Sequence, residues 1–126
     1  MSDQQPGKQL FMLAKWVLKP EHVEEWLETE YEAWKVVHNQ PECIFFEILR
    51  DPERSNVFRL LECWTKDKEW FDNVQIRTPA YDKLWKLIER GVTEEPPSLE
   101  YYDRFGDQVN GSIVRRHYLE GGKVLD

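Results

Sequence analysis

A single carboxylate, Glu62, shares a predicted strand face with Ile44, Leu60 and Trp64. Burial among such neighbours disfavours the charged form, which would lift its pKa into the range of a general base. The plainer reading of the same carboxylate is a structural hydrogen-bond acceptor for a helix end. His38 closes a helical pattern, where an imidazole either serves a site or caps the last carbonyls. His22 beside Glu21 reads as solvated, and Arg115-Arg116-His117 as surface charge or a dimer contact. Five large rings, Trp16, Trp34, Trp64, Tyr81 and Trp85, stand at positions whose parity or helical stripe points between helices and sheet. Each alone reads as ordinary core. Together, five rings are hard to interlock without leaving a cleft, so they outline a slot for a planar ligand.

The elements that would position these residues follow from periodicity. Residues 10–18, LFMLAKWVL, form a strand-like run, and Lys19-Pro20-Glu21 turns the chain into a helix with Pro20 at its first position. Val23, Trp26, Leu27, Tyr31, Trp34 and Val37 recur at spacings of three and four. Glu24, Glu25, Glu28 and Glu32 fall on the wet side, and the helix stops near His38-Asn39, before Pro41. Residues 43–50 and 57–65 read as a hairpin joined by DPERSN. Setting Glu47 opposite Arg59 also sets Cys43 opposite Cys63, Phe45 opposite Leu61 and Leu49 opposite Val57, a register favoured by ~0.2–1 kcal/mol. Asp67–Val74 is predicted as a short helix. Thr78-Pro79 begins a longer one as N-cap and first helical residue, with Tyr81, Leu84, Trp85 and Ile88 on one stripe and Gly91 ending it. TEEPPS reads as a polar link to a last strand at 99–105.

This order, β-α-β-β-α-β, is the ferredoxin-like arrangement of the α+β class, two helices on one face of a four-stranded antiparallel sheet. The other face should be polar, yet both parities of the first three strands are mostly apolar. The simplest cover is the same face of a second copy, so a homodimer is expected. The domain is expected to span 10–106, after a flexible N-terminus at 1–9. A C-terminal extension at 107–126, with SIVRRHYL as a candidate fifth strand, is expected to be loose or to contact the dimer partner.

Composition narrows the class of function. The 126 residues suit one domain, and 6 Trp, 5 Tyr and 6 Phe exceed what packing so small a core requires. A formal charge of -7 disfavours nucleic acid and anionic membrane as partners. No apolar run approaches the ~20 residues of a membrane helix and MSDQQPGKQ lacks the apolar core of a signal peptide, so a cytoplasmic location is expected. Cys43 and Cys63 form neither a disulfide framework nor a zinc spacing and read as small apolar strand residues. There is no GxGxxG, phosphate loop, HExxH or GxSxG, and no cofactor, metal, haem or flavin is expected.

The stretch from Phe11 to Phe105 resembles the antibiotic biosynthesis monooxygenase family, whose members are dimeric α/β barrels. The resemblance rests on Lys19-Pro20-Glu21 before an acidic helix, Pro41-Glu42-Cys43 where the family usually reads Pro-Gly-Cys, Glu62-Cys63-Trp64 ending the third strand, and Thr78-Pro79-Ala80-Tyr81. It implies a dimer with a pocket in each subunit between helices and sheet. It also implies catalytic donors after the short helix, at Asn73 and Gln75, with Gln75 standing where many relatives carry His. Relatives oxidise aromatic polyketides and quinols without a cofactor, degrade haem, or isomerise and decarboxylate. The haem-degrading branch has an Asn at the place of Ala14 and its iron-binding His near Trp85, which weighs against haem. The resemblance therefore implies a cofactor-independent oxidoreductase, a monooxygenase acting on an aromatic, phenolic or polyketide-type molecule. The alternative is a non-oxidative isomerase, decarboxylase or ligand-binding protein of the same fold.

Overall fold

A computed structural model describes residues 9–104; the expected extension at 107–126, with SIVRRHYL and Arg115-Arg116-His117, lies outside them. Four strands, β1 (Leu10–Leu18), β2 (Cys43–Arg50), β3 (Val57–Trp64) and β4 (Thr93–Asp103), form one antiparallel sheet in the order β2-β3-β1-β4. Helices α1 (Val23–Val37), α2 (Lys68–Asn73) and α3 (Asp82–Glu89) complete it. This is the ferredoxin-like α+β topology expected from the order of elements.

Local chemistry sets the boundaries. Pro20 opens a short 3-10 turn, Pro20–His22, that leads into α1. The Asp67 carboxylate accepts from the Trp70 amide at 3.0 Å and caps α2. Gly91, at φ 81°, ends α3 in the left-handed conformation that glycine adopts without a Cβ penalty. The expected cap at Thr78 is different in form. Its hydroxyl donates backwards to the Gln75 carbonyl at 2.9 Å, and a 3-10 turn, Pro79–Tyr81, intervenes before α3.

Two expectations about the sheet are corrected. Glu47 stands opposite Leu61, and Arg59 opposite Leu49, so the hairpin is offset by two residues from the charge-paired register. The loop decides this: Asp51 accepts from the amides of Glu53 and Arg54 at 2.8 and 3.1 Å, and the Asp51 amide donates to the Val57 carbonyl. Arg59 reaches Asp51 at 3.2 Å instead of Glu47. Because the offset is even, every side chain keeps its face. The segment TEEPPS is not a link, since β4 already begins at Thr93. Pro96 and Pro97 are tolerated because β4 is an edge strand pairing only with β1, and the ladder shifts register on either side of Val17.

The inner sheet face carries Leu10, Met12, Ala14, Trp16 and Leu18 of β1 with Phe46, Phe58, Leu60, Glu62 and Trp64, packed against Val23, Trp26, Ala33, Val37, Phe71, Tyr81, Leu84 and Leu87. Two helical stripes are rotated from expectation. In α1 the buried set is Val23, Trp26, Glu30, Ala33 and Val37, while Tyr31 is 52% exposed. In α3 Leu84 and Leu87 face inward and Trp85 is 43% exposed. The outer sheet face exposes Leu49 and Tyr102 and leaves Phe11, Leu13 and Leu61 half-buried, with Lys15, Glu47, Arg59 and Glu100 among them. Among the described residues no helix is long and apolar enough to cross a membrane.

Candidate active site

Strand pairing aligns Phe46, Glu62, Met12 and Tyr101 in one row across the inner face. The carboxyl of Glu62, 3% exposed, sits beneath the helices, and its Oε1 accepts a hydrogen bond from Trp64 Nε1 at 3.1 Å. Burial pushes this carboxyl up to about 8, and the Trp64 bond only partly offsets the rise. Trp64 is itself held in place by Trp70 and Phe71 of α2, with ring centroids at 5.8 and 5.5 Å.

A second buried carboxyl faces it. Glu30 of α1 is 1% exposed, and no described residue offers a hydrogen bond to its Oε1. Burial and then the charge of Glu62 hold Glu30 well above the usual carboxylate range. Because the charge of Glu62 adds to the rise at Glu30, the two acids titrate as a coupled pair. One turn earlier on the same stripe, Trp26 stacks obliquely on Trp16 and Phe58 at 5.4 and 4.8 Å, and its Nε1 also lacks a partner among the described residues.

Gln75 is the third buried polar side chain, at 1% exposure. It forms a reciprocal amide pair with Gln40 at 2.8 and 2.9 Å and donates to the Tyr81 hydroxyl at 2.9 Å. Burial raises the Tyr81 phenol far above its usual value, and the nearby Glu62 and Glu30 add to the rise. Cys43 is pushed up to about 12 and Cys63 to about 11, burial being the main cause in both, so neither free thiol is a ready nucleophile.

Of the residues singled out from the sequence, the fold gathers Glu62, Gln75, Trp64, Tyr81 and Trp16 into the core between helices and sheet. Trp34 is half-buried at the flank of α1, where its Nε1 donates to the Phe46 carbonyl at 2.9 Å. His38 stacks on Trp34 at 3.9 Å and donates through Nδ1 to the Trp34 carbonyl at 2.8 Å, which ties it to the helix end. Asn73 is exposed at the last position of α2. Trp85 is not among the inner rings, because the 3-10 turn before α3 sets a helical phase that turns Leu84 and Leu87 inward. Sequence reasoning missed Glu30, Trp26 as a polar group, and Gln40. The signal for Glu30 was present, since it lies four residues after Trp26 and three before Ala33, in phase with the apolar stripe.

An antiparallel sheet in the order β2-β3-β1-β4, with helices over one face and a cluster of acids, amides and a phenol buried beneath them, defines a ferredoxin-like α+β domain with a polar core site. The chain belongs to the antibiotic biosynthesis monooxygenase family, whose model matches residues 10–75. A Pestalotiopsis microspora protein named as a candidate monooxygenase is 27% identical over 101 residues, covering 80% of this chain and 83% of its own. A crystal structure of an antibiotic biosynthesis monooxygenase superposes with a TM-score of 0.67 at 21% identity, over 75% of this chain and 97% of that one. A Nitrosomonas europaea protein described as belonging to the same family gives 0.69 at 17%, over 78% and 91%. At these identities the structural likenesses speak for the fold. Proteins of this family are commonly dimeric.

Proposed function

We propose that this protein is a cofactor-independent monooxygenase that oxidises an aromatic, phenolic or polyketide-type substrate with O2 between its helices and sheet. The observation that carries the reading is Glu62, a buried carboxyl raised to about 8 within a largely aromatic and aliphatic wall. A general base works best with a pKa near the operating pH, and an ordinary exposed carboxylate is too weak a base for a phenol or an anthrone carbon. In the proposed reaction Glu62 removes a proton from the substrate, and the resulting carbanion or phenolate passes its electrons to O2. For an anthrone the ring CH2 becomes a hydroperoxide, which loses water to leave a carbonyl, so one O2 yields one quinone oxygen and one water. The substrate is the reductant, and no separate cofactor is required. Tyr81, positioned by Gln75, supplies a hydrogen bond to the developing oxyanion. Asn73, His38 and Trp85 have no part in this scheme, given where they lie.

The test is oxygen uptake under air with anthrones, naphthols and hydroquinones against an enzyme-free control. One O2 consumed per anthrone converted to anthraquinone is the expected result; no uptake with any of the three classes overturns the reading. The neighbouring acids Glu30 and Glu62 favour a second reading, since two carboxyls alone can move a proton between substrate carbons, as an isomerase requires. Deuterium exchange into substrate without oxygen uptake would select it.

The working unit proposed is a homodimer closed through the outer sheet face into an α/β barrel, with the domain at 10–106 and the extension at 107–126 contacting the partner. The half-buried Phe11, Leu13 and Leu61 with exposed Leu49 and Tyr102 support it, as does a family in which dimers are common. Light scattering at micromolar concentration should return twice the mass of the chain, with an interface burying more than ~1,000 Å². A monomer under those conditions would sink the idea. Two free cysteines fit the reducing cytoplasm, where the protein is proposed to act.

A further inference from the structure

The chain that covers one end of the core holds almost entirely to itself. After β3 the backbone is pinned twice, by the Thr65 amide on the Glu42 carbonyl at 2.9 Å and by the Leu10 amide on the Lys66 carbonyl at 3.0 Å. From Asp67 to Thr78, through α2 and a 3-10 turn at Gln75–Arg77, no backbone hydrogen bond among the described residues reaches the sheet, α1 or the loops between them. The Asp67 cap, the Lys68–Asp72 ion pair and the bond from Arg77 to the Asp72 carbonyl also close within the segment. Lys68 makes one surface contact outside it, its ammonium 4.6 Å from the centre of the Tyr101 ring. The direct polar tie to the body of the domain is the reciprocal amide pair of Gln75 with Gln40. Gln40 is a fixed post for that pair, since its own amide donates to the Val37 carbonyl and its carbonyl accepts from the Cys43 amide, both at 3.0 Å.

What this segment covers is the polar core. Trp70 and Phe71 rest on Trp64, whose indole holds Glu62, and Gln75 Nε2 lies on the Tyr81 hydroxyl. With the segment down, Glu62 and Gln75 are 3% and 1% exposed, so a ligand reaches them only after something moves. We infer that Asp67–Thr78 is a flap that swings off the core to admit ligand, and that Gln40 is the positioning residue that latches it shut. The hinges lie at Lys66–Asp67, just beyond the last pinned carbonyl, and at Thr78, which Pro79 holds in the extended conformation between two 3-10 turns. Opening exchanges the two Gln40–Gln75 bonds for bonds to water, a small net loss, and elements that must move for binding are drawn from the least stable parts of a fold. The inference rests on the proposed monooxygenase reading only for what enters, and it deepens that reading by giving the site a gate. Closure brings Gln75 onto Tyr81, so Gln40 acts on the phenol through Gln75.

The test is native-state hydrogen exchange of the full chain, followed by mass spectrometry from zero urea to just below the unfolding transition. Peptides within 68–78 should exchange through a local opening whose rate barely responds to urea, whereas those of β1 and β3 should speed up with urea as global unfolding does. Gln40→Leu should raise the urea-independent exchange of 68–78 on the order of 10-fold, the effect of losing two amide hydrogen bonds. Gln40→Glu, which keeps an acceptor for Gln75 Nε2 but loses the N–H donor when ionised, should fall between native and Gln40→Leu. Modification of Glu62 by a water-soluble carbodiimide, read by peptide mass below the unfolding transition, should rise in the same proportion. That second readout would not move if the segment merely frayed without uncovering the site. A urea dependence of 68–78 equal to that of β1, exchange rates unchanged in Gln40→Leu, or Glu62 modification unchanged while 68–78 speeds up would each overturn the inference. Neither measurement needs substrate or O2, so a flap that opens in a protein consuming no oxygen refutes the monooxygenase reading alone. Oxygen consumption without local opening refutes the flap alone.

Discussion

Glu62→Gln is expected to lower oxygen consumption on an anthrone by on the order of 10²–10⁴-fold, the usual loss when a positioned proton acceptor is removed. The substitution isolates chemistry from folding unusually well. Glutamine has the same shape, its carbonyl still accepts the hydrogen bond that Trp64 Nε1 donates to Glu62, and an amide replaces a carboxyl that is already largely neutral below about pH 8. The fold should therefore survive, with a melting temperature no lower than native. Trp64→Ala would be a poor substitute. It removes a fully buried ring, which costs roughly 3–5 kcal/mol, and it also strips Glu62 of its donor, so lost activity would say nothing about the base. If Glu62→Gln turns over anthrone at the native rate, the carboxyl is not the base, and Glu62 is then a structural acceptor for the Trp64 indole.

The sequence disclosed the scaffold more fully than the site, and the reasons are physical. Alternation and turn residues marked β1 and β2 to the residue, and parity sorted inner from outer face even though the hairpin register was wrong by two. Parity survives an even slip, whereas register depended on a cross-strand ion pair of at most ~1 kcal/mol against a loop in which Asp51 holds two amides. β4 was foreshortened because two prolines resemble a break, although an edge strand leaves their missing N–H unneeded. Glu62 was legible because it interrupts an apolar strand. Glu30 was hidden among four other glutamates of the same helix, where composition suggested a wet face and only the phase with Trp26 and Ala33 argued otherwise. The Gln40–Gln75 pair spans 35 positions, and no local pattern announces a contact of that reach.

Stability is expected to fall as pH rises from about 4.5 to about 8, the reverse of the behaviour of a protein held by exposed ion pairs. Glu62 titrates near 4.5 when unfolded and near 8 in the native state, so within that window the native protein keeps a proton that the unfolded chain has released. Stability then decreases with pH, and the contribution is complete below about 4.5, is lost through the folded pKa, and is flat above it. At about 1.4 kcal/mol per pKa unit the fully buried Glu62 accounts for several kcal/mol, and Glu30, raised by the same burial, adds with the same sign. The opposing groups are weak: Glu25 and Asp51, held low chiefly by Arg90 and by the Glu53 amide respectively, lie at the surface and act mainly in acid. Urea melts at pH 5, 6.5 and 8, at one protein concentration because a dimer's midpoint depends on it, should show the native midpoint dropping steadily. Glu62→Gln should flatten that drop substantially, leaving the part due to Glu30, and the double variant Glu30→Gln with Glu62→Gln should remove nearly all of it. A native midpoint that is level or rises between pH 5 and 8 would mean that the two acids are solvated in solution, and the base assigned to Glu62 would lose its raised pKa along with its dry setting.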